Sequence, residues 1–440
     1  MARSSAAPSG RLFRVLGLWF GVAAIIGNSI GAGIMRTPSE VARHLPVTEL
    51  YLLAWLAGGI YAALGVASMA ELGVLMPRSG GQYVFARRTF GPFVGFVAGW
   101  ADWVASCASA AAVSILVGEY ASWFANPSPG PQAIAAVATG VVVLFTALLW
   151  KGVRSSGTTV TLITAIKVIV LLGVPAVAFV FGTREPIAAA PGAAFTLGGV
   201  VLAMQVVIFS YDGWGGVLYF SGELRDPARE IPRSMFSGVA AVVVIYMLLA
   251  GCFVYVLGIG GVAADNFPAG QVARVVFGDI GGAIIRLIVV ISGLGAVAAI
   301  IMMASRVPHA MSGDGLFPRR AAVVNEGGTP VATLALSALL TIAFILSGTF
   351  EQVIAVAAFF FVMQYIISFT AVFVLRWREP DLPRPYRAIG YPVTTAISWL
   401  GGVAFLVAAV VQDRRNSLVA IGILLASYPV FRLLRLPREH

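Results

Sequence analysis

The chain has 440 residues, of which 59% are apolar and only 11% are charged, and its formal net charge is +10. An average soluble domain is about a quarter charged, so this composition excludes a soluble enzyme, a disordered chain and a disulfide scaffold. The basic residues lie between apolar stretches rather than along one helical stripe, which argues against nucleic acid as a partner. A polytopic membrane protein remains.

Twelve apolar stretches follow one another along the chain, and each approaches the length of about 20 residues that a membrane-spanning helix needs. They lie at residues 13–35, 48–74, 92–120, 132–150, 157–181, 196–220, 235–260, 276–304, 331–348, 352–375, 393–411 and 417–434. Open strands cannot cross lipid, so these stretches predict helices. We expect an all-α polytopic membrane protein with twelve transmembrane helices in a single transmembrane domain, residues 1–440.

The distribution of Lys and Arg predicts the orientation of these helices. With the N-terminus inside, basic residues on the inner side outnumber those on the outer side by about three to one. This predicts cytoplasmic N- and C-termini in a cell (inner or plasma) membrane. No cleavable signal is expected before the first stretch, because residues 1–12 are short, polar and basic.

Two of the predicted helices contain glycine-rich interruptions. The first contains Gly27–Gly33 (GNSIGAG) and the sixth contains Ser210–Gly216 (SYDGWGG). Each glycine costs a helix interior about 1 kcal/mol relative to alanine, so both segments favour unwinding. Glycines that let helices pack closely are the alternative explanation, and it fits one such helix better than two.

The two interruptions fall at matching places if the first ten helices divide into two groups of five. Interrupted helices at matching positions of two halves indicate a transporter binding site at mid-membrane. The start of a half-helix offers free N–H groups that suit a carboxylate, and unwound carbonyls suit an ammonium group. An amino acid carries both groups.

At this point the sequence resembles the amino acid–polyamine–organocation superfamily, and within it the L-type amino acid transporter-like branch. The resemblance rests on these motifs in order: Ile26–Ile34, Pro77–Tyr83 with Phe90–Pro92, Phe209–Trp214 with Gly222–Pro227 and Ile231–Pro232, Ser305–Arg306 with Asp314–Gly315 and Thr329–Pro330, and Arg384–Arg387 with Gly390–Pro392. Met35 and Gln82 depart from the family pattern, which usually has Phe and an acidic residue there.

The resemblance implies a five-plus-five inverted repeat with helices 1 and 6 unwound at mid-membrane. The first repeat would occupy about 13–181, the second about 196–375, and two extra helices about 393–434. It also implies a site built largely from backbone. Amides of Ala32, Gly33 and Ile34 would hold the substrate carboxylate; carbonyls of Ser29, Phe209, Ser210 and Asp212 would hold the amine, with Phe209 as an aromatic gate.

Lys167 stands in the middle of the fifth predicted helix, where a charge costs about 2.5 kcal/mol or more. It lies too far from either end of that helix to reach the interface. The resemblance implies that its ammonium takes the place of a sodium ion between the helix 1 break and helix 8, with Ser292 as a contact, and that transport is sodium-independent. Either a fixed charge or, if burial releases its proton, a proton carrier fits this position.

Several acidic residues accompany these sites. Asp212 in the second interruption either accepts from the substrate amine or a cationic side chain, or caps the following half-helix. Asp102 and Glu71 are expected to be solvated or ion-paired, and Glu119 is assigned no role. The predicted helices offer no second mid-depth acid beside Asp212, which favours neutral substrates.

Three classes of function were compared. His44, His309 and His440 are far apart, and no catalytic or nucleotide-binding motif occurs, so no enzyme activity, metal or cofactor is expected. A secondary transporter that exchanges small to medium neutral L-amino acids by alternating access fits best. A proton-coupled symporter, a cationic amino acid or polyamine carrier, and an amino acid sensor on a transporter fold stay open.

Eukaryotic carriers of the L-type branch that the sequence resembles are linked to a heavy chain through a Cys in the loop between helices 3 and 4. Residues 121–127 of this loop contain no Cys, so the resemblance implies no covalently linked heavy chain here. The Arg and Ala bias favours a bacterial source.

Overall fold

The computed structural model describes residues 16–30, 32–78, 80–126, 128–150, 157–181, 187, 196–325 and 329–435, and in α7 and the adjoining loops it describes only some of the side chains. In the first half the helices are α1 (Leu18–Ser29), α2 (Thr37–His44), α3 (Thr48–Leu75), α4 (Gln82–Phe90), α5 (Pro92–Ser122), α6 (Pro131–Trp150) and α7 (Gly157–Phe181). In the second half they are α8 (Leu197–Tyr211), α9 (Pro227–Ala264), α10 (Pro268–Gly313), α11 (Val331–Ser347), α12 (Phe350–Arg378), α13 (Val393–Gln412) and α14 (Arg414–Arg435).

Three short 3₁₀ segments complete the described structure: Ala32–Met35, Gly216–Glu223 and Arg319–Ala322. Within the described ranges the β-structure is a single isolated bridge between Leu16 and Leu224. The amide of Leu16 donates to the Glu223 carbonyl at 3.0 Å, and the Leu16 carbonyl accepts from the Arg225 amide at 2.9 Å. This bridge ties the start of α1 to the end of the second 3₁₀ segment.

Nine helical stretches of the described chain are long and apolar enough to cross a membrane, and three shorter apolar helices accompany them. The shorter ones are Leu18–Ser29, Leu171–Val180 and Val331–Ser347. Each of these helical stretches lies on one of the twelve apolar stretches seen in the sequence. The chain is therefore an all-helical, multi-pass protein in the part that the structure describes.

Helix α9 and helix α10 are longer than predicted. The sequence suggested an open connection at about 261–275, but helix continues to Ala264 and resumes at Pro268. Each long helix bends sharply at a glycine with positive φ, Gly258 at +69° and Gly278 at +72°. Because such φ values strongly favour glycine, these two residues mark where the chain turns out of the long helices into short ones.

Helix α5 forms the centre of the bundle. Of the 18 residues that form the most apolar part of α5, 83% are buried, against 17% for the corresponding part of α6. The small residues of α5, among them Ala105, Cys107 and Ala108, are fully buried and let its neighbours approach closely.

The helices pack in two groups around this centre. Helix α9 packs against α1, α2 and α3, and α8 packs against α2, α3 and α12. Helix α5 packs against α4, α6, α10, α11 and α12. The two groups therefore meet where α8 packs against α12. The glycine-rich segments of α1 and α8 thus lie in the first group, at its boundary with α5, α10 and α12.

Candidate functional site

The first glycine-rich segment interrupts the helix near Ser29. Helix α1 ends there, and Ile30 has φ −84° and ψ 75°, outside the helical region. A 3₁₀ turn follows from Ala32, and α2 starts at Thr37 with Pro38 in its first turn. Glycines on the α1 side and a proline on the α2 side explain this interruption, since glycine weakens a helix interior and proline favours a helix start.

The second glycine-rich segment interrupts the chain after Tyr211. Asp212 has φ −57° and ψ 149°, and Gly213 has φ +114°, a conformation that residues with a Cβ rarely adopt. A 3₁₀ segment then runs from Gly216 to Glu223. The sequence SYDGWGG therefore ends one helix and starts a different one.

The two interruptions touch. A Cβ atom on Gly213 would lie 2.7 Å from the Ser29 amide nitrogen and 2.9 Å from the Asn28 carbonyl carbon, closer than real Cβ contacts allow. Gly216 is also close to α1, where its Cβ would lie 3.3 Å from the Ala24 carbonyl oxygen. Glycine is needed at position 213 for both its conformation and this close approach.

A tyrosine hydroxyl from α9 joins the two interruptions. The Tyr246 hydroxyl lies 2.7 Å from the carbonyl oxygen of Ser29 and 2.7 Å from that of Ser210, and the side chain is fully buried. One hydroxyl hydrogen can donate to only one carbonyl at a time. One of the two carbonyls is therefore left to accept from another donor. Sequence reasoning missed Tyr246, because nothing local marks it among the apolar residues of α9.

The structure describes the other predicted site residues separately, and it shows a side-chain contact with another helix for one of them, Phe209. Phe209 is buried beside Phe350, with the two rings 6.3 Å apart and nearly perpendicular. Ile34 is buried, and Ala32 and Gly33 lie in the 3₁₀ turn. Ser292 is half-buried on α10. Lys167 lies in α7, and its side chain is outside the described part of the structure.

The Asp212 side chain has a partner that neither sequence interpretation anticipated. Its carboxylate accepts a hydrogen bond from the Tyr365 hydroxyl of α12. The 3₁₀ segment that follows is preceded by Gly215, and no side chain caps it. The Tyr365 ring in turn packs against Trp214 at 4.9 Å.

An ionic cluster closes over Phe350. Arg36 pairs with Glu119 of α5, with Glu351 of α12 at 2.7 Å and with Glu40 of α2 at 3.5 Å. Its guanidinium also lies 4.7 Å from the centre of the Phe350 ring. We refer to Arg36, Glu40, Glu119 and Glu351 as the Arg36 cluster. The expectation that Glu119 has no role was wrong, because its partner is 83 residues away and no local pattern links them.

A second ionic cluster lies where α4 meets the end of α10. Asp314 pairs with Arg87 at 2.5 Å and with Arg78 at 3.6 Å, and it accepts from the Tyr83 hydroxyl at 3.0 Å. We refer to Asp314, Arg78, Arg87 and Tyr83 as the Asp314 cluster. Glu71 forms ion pairs with Arg376 at 2.6 Å and with Arg384 at 3.3 Å. An ion pair was one of the two states expected for this residue.

The prediction for Asp102 was wrong. It was expected to be solvated or ion-paired, but it is 2% exposed and forms no ion pair with a described residue. The Tyr219 hydroxyl donates to one carboxylate oxygen at 2.7 Å. Asp102 was placed near one end of its predicted helix, where water would be expected. Because α5 lies at the centre of the bundle, Asp102 is buried instead. Within the described residues, no group of three or more His, Cys, Asp or Glu side chains is placed to hold a metal ion.

Comparisons with known proteins bear on the whole chain. A family model described as amino acid permease matches residues 16–426. The serine/threonine exchanger SteT of Bacillus subtilis is 26% identical over 428 residues, covering 96% of each chain. The large neutral amino acids transporter small subunit 2 and the Asc-type amino acid transporter 1 of Mus musculus are 26% and 27% identical, each covering 96% of this chain and 81% of the relative.

Proposed function

The chain belongs to the amino acid permease family, and we propose that it exchanges small to medium neutral L-amino acids across the cell membrane by alternating access. The family establishes amino acid transport and excludes an enzyme. It also confirms the superfamily resemblance seen in the motifs. Exchange as the mode of transport and neutral amino acids as the substrates are our proposal. An exchanger and a large neutral amino acids transporter among the relatives support it.

The proposed architecture is a single transmembrane domain of twelve spans. It has a first repeat at about 13–181, a second at about 196–375 and two further helices at about 393–434. In this proposal the interruptions in α1 and α8 lie at mid-membrane, and both termini are cytoplasmic. The matching positions of the interruptions and the distribution of basic residues support it.

The proposed substrate site is the meeting point of the two interruptions. Amides of Ala32, Gly33 and Ile34 hold the carboxylate of the amino acid, because they begin the segment that follows the first interruption. The carbonyls of Ser29, Phe209, Ser210 and Asp212 face the amine in this proposal. The observation that carries it is the Tyr246 hydroxyl, which reaches both Ser29 and Ser210 carbonyls but can satisfy only one.

In the same proposal Phe209 covers the substrate. Its ring contacts Phe350, and Phe350 lies beneath the Arg36 guanidinium. A stack of Phe209, Phe350 and Arg36 would therefore separate the site from one side of the membrane. Rocking one helix group against the other would open and close this stack in turn.

The contact between Tyr365 and Asp212 favours neutral substrates. A cationic side chain would have to compete with the hydroxyl that already donates to the Asp212 carboxylate. Symport with a proton and transport of cationic amino acids or polyamines are the alternatives within transport. An amino acid sensor on the same fold would bind substrate without moving it.

The proposed role of Lys167 is to replace a sodium ion between the first interruption and α10, near Ser292. A fixed ammonium there would make transport sodium-independent. We expect Lys167→Ala to reduce amino acid exchange by at least tenfold in sodium-free proteoliposomes, because the site loses a buried charge that its oxygens need. Near-normal exchange by this variant would remove Lys167 from the proposed mechanism.

The experiment that tests exchange is efflux of a radiolabelled neutral amino acid from proteoliposomes without sodium and at equal pH on both sides. We expect a saturating mixture of amino acids outside to accelerate efflux strongly. Equal efflux with and without external amino acids would contradict exchange and favour a uniporter or proton symporter. No efflux in either condition, with retained substrate binding, would favour the sensor.

The position of the site is tested by Gly213→Ala. The added methyl group would meet the backbone at Ser29 and Asn28, so the two interruptions must separate and substrate binding should be lost. The control is Gly140→Ala on α6, where nothing lies within 4 Å of the added atom. Binding of labelled substrate by purified protein measures both, and equal binding by the two variants would contradict a site at this point.

A further inference from the structure

Asp102 is a buried acid that the proposed transport mechanism does not use. It lies on α5, the most buried helix, and is 2% exposed. Tyr219 donates to one of its oxygens at 2.7 Å, while the other oxygen has no hydrogen-bond partner among the described residues. A carboxyl group in this position has one satisfied oxygen and one that is free to carry a proton.

A second acid of the described chain has the same kind of partner. Asp212, at the end of α8, is half-buried. Each carboxyl has a tyrosine hydroxyl as donor, Tyr219 for Asp102 and Tyr365 for Asp212. Of the two, Asp102 is the more deeply buried, and its donor is neutral.

Among the described residues, no salt bridge reaches Asp102 or Asp212. Gly99, one turn before Asp102, packs against Tyr83 of α4 and Met311 of α10. The nearby basic side chains of α4, Arg78 and Arg87, pair with Asp314 instead. The charged and titratable groups from the elements around Asp102 and its partner Tyr219 are Tyr219, Asp212, Tyr365, Tyr83, Arg78, Arg87, Asp314 and Arg306, whose guanidinium lies 5.8 Å from the centre of the Phe220 ring.

An ionised Asp102 would be unfavourable in this environment. It would lose its hydration, at a cost of several kcal/mol, with only a neutral hydroxyl to compensate. A proton on the carboxyl group removes the charge and this cost. The free oxygen of Asp102 is an available place for it, since Asp102 is buried and Tyr219 occupies only the other oxygen.

From this geometry we propose that Asp102 is a proton-binding site whose occupancy sets the rate of amino acid exchange. The proton is held while Asp102 is buried, as in this conformation, and is released when α5 and the second 3₁₀ segment separate and water reaches the carboxyl. High pH removes the proton, opposes the buried conformation and slows the cycle. This inference rests on the proposed exchange function.

The test is the rate of exchange in proteoliposomes at equal internal and external pH, from about pH 5 to about pH 9. We expect wild-type exchange to fall by at least threefold towards the alkaline end. Asp102→Asn resembles the protonated acid and cannot ionise, so it should exchange amino acids at a rate that changes little with pH. Asp381→Asn is the control, because it removes an exposed acid beyond α12 and should keep the wild-type profile.

Tyr219→Phe provides a second measurement. It removes the hydroxyl that stabilises ionised Asp102, so the midpoint of the alkaline fall should move up by about one pH unit. A role in packing alone would change the rate but not this midpoint. If Asp102→Asn is inactive at every pH, the midpoint measured for Tyr219→Phe still tests whether Asp102 binds the proton.

Three outcomes would overturn the inference. They are an unchanged pH profile in Asp102→Asn, an unshifted midpoint in Tyr219→Phe, and a pH dependence that survives in Asp102→Asn but disappears in Lys167→Ala. The last outcome would assign the proton to Lys167. Failure of the exchange proposal itself looks different, because external amino acids would then leave wild-type efflux unaccelerated at every pH.

Discussion

The two ionic clusters of this protein are built with opposite charges. In the Arg36 cluster one cation is surrounded by three carboxylates, from α2, α5 and α12. In the Asp314 cluster one carboxylate is surrounded by two arginines and a tyrosine hydroxyl from α4 and the loop before it. Each cluster joins helices of different parts of the chain through a single central residue.

Burial separates the two clusters more than charge does. The two central residues differ modestly, with Arg36 9% and Asp314 19% exposed. Their partners differ more: Glu40 is 4% and Glu119 16% exposed, with only Glu351 at 42%, whereas Arg87 is 33% and Arg78 66% exposed. A buried ion that loses its partner cannot recover its hydration, but an exposed one can. The central residue of the Arg36 cluster should therefore matter far more for stability than any member of the Asp314 cluster.

The largest expected effect follows from Arg36→Met. It leaves the carboxylates of Glu40, Glu119 and Glu351 together without their common cation, and we expect the free energy of unfolding to fall by about 3 kcal/mol. Denaturant unfolding of the detergent-solubilised protein measures this loss. Arg43→Met in α2, which Arg36 directly precedes, is the control, because that side chain is 35% exposed and its substitution should lower the free energy of unfolding clearly less. Equal losses would contradict the importance of burial.

A smaller effect is expected from Asp314→Asn. It breaks two ion pairs, but both arginines reach water, so the free energy of unfolding should fall by about 1 kcal/mol or less. The same unfolding measurement applies. A loss as large as that of Arg36→Met would show that the Asp314 cluster is effectively buried, contrary to its side-chain exposures.

The smallest effect is expected from Arg78→Gln. Its guanidinium is 66% exposed and lies 3.6 Å from Asp314, so the free energy of unfolding should change by no more than about 0.5 kcal/mol. High salt should abolish even this difference, since exposed pairs are screened. A larger, salt-resistant change would mean that Arg78 has a further buried partner.

Local features of the sequence predicted much of the fold. Long apolar runs placed the helices, and the glycines of positions 27–33 and 210–216 marked where α1 and α8 end. These features act over a few residues, so they can be read without tertiary structure. The helical residues 261–264 of α9 and 268–275 of α10 were missed, because these helices continue beyond the apolar stretches from which they were predicted.

The surroundings of the candidate site could not be predicted in the same way. Arg36 meets Glu351 across 315 residues, and Tyr365 meets Asp212 across 153. Tyr246 looked like one more apolar residue of α9, and Asp102 looked like a residue near a helix end. Their roles depend on which helix is central and which faces meet, and that information lies in packing rather than in spacing.

The hydrogen bond from Tyr246 to the Ser29 carbonyl joins residues 217 positions apart. During synthesis the first half of the chain therefore leaves the ribosome, and enters the membrane, before its partner for this contact exists. The glycine-rich end of α1 must wait in lipid with carbonyls that lack their final donor. Assembly of the proposed substrate site is thus a late step of biogenesis, and a chain cut short before α9 would insert without ever forming the Tyr246 contact.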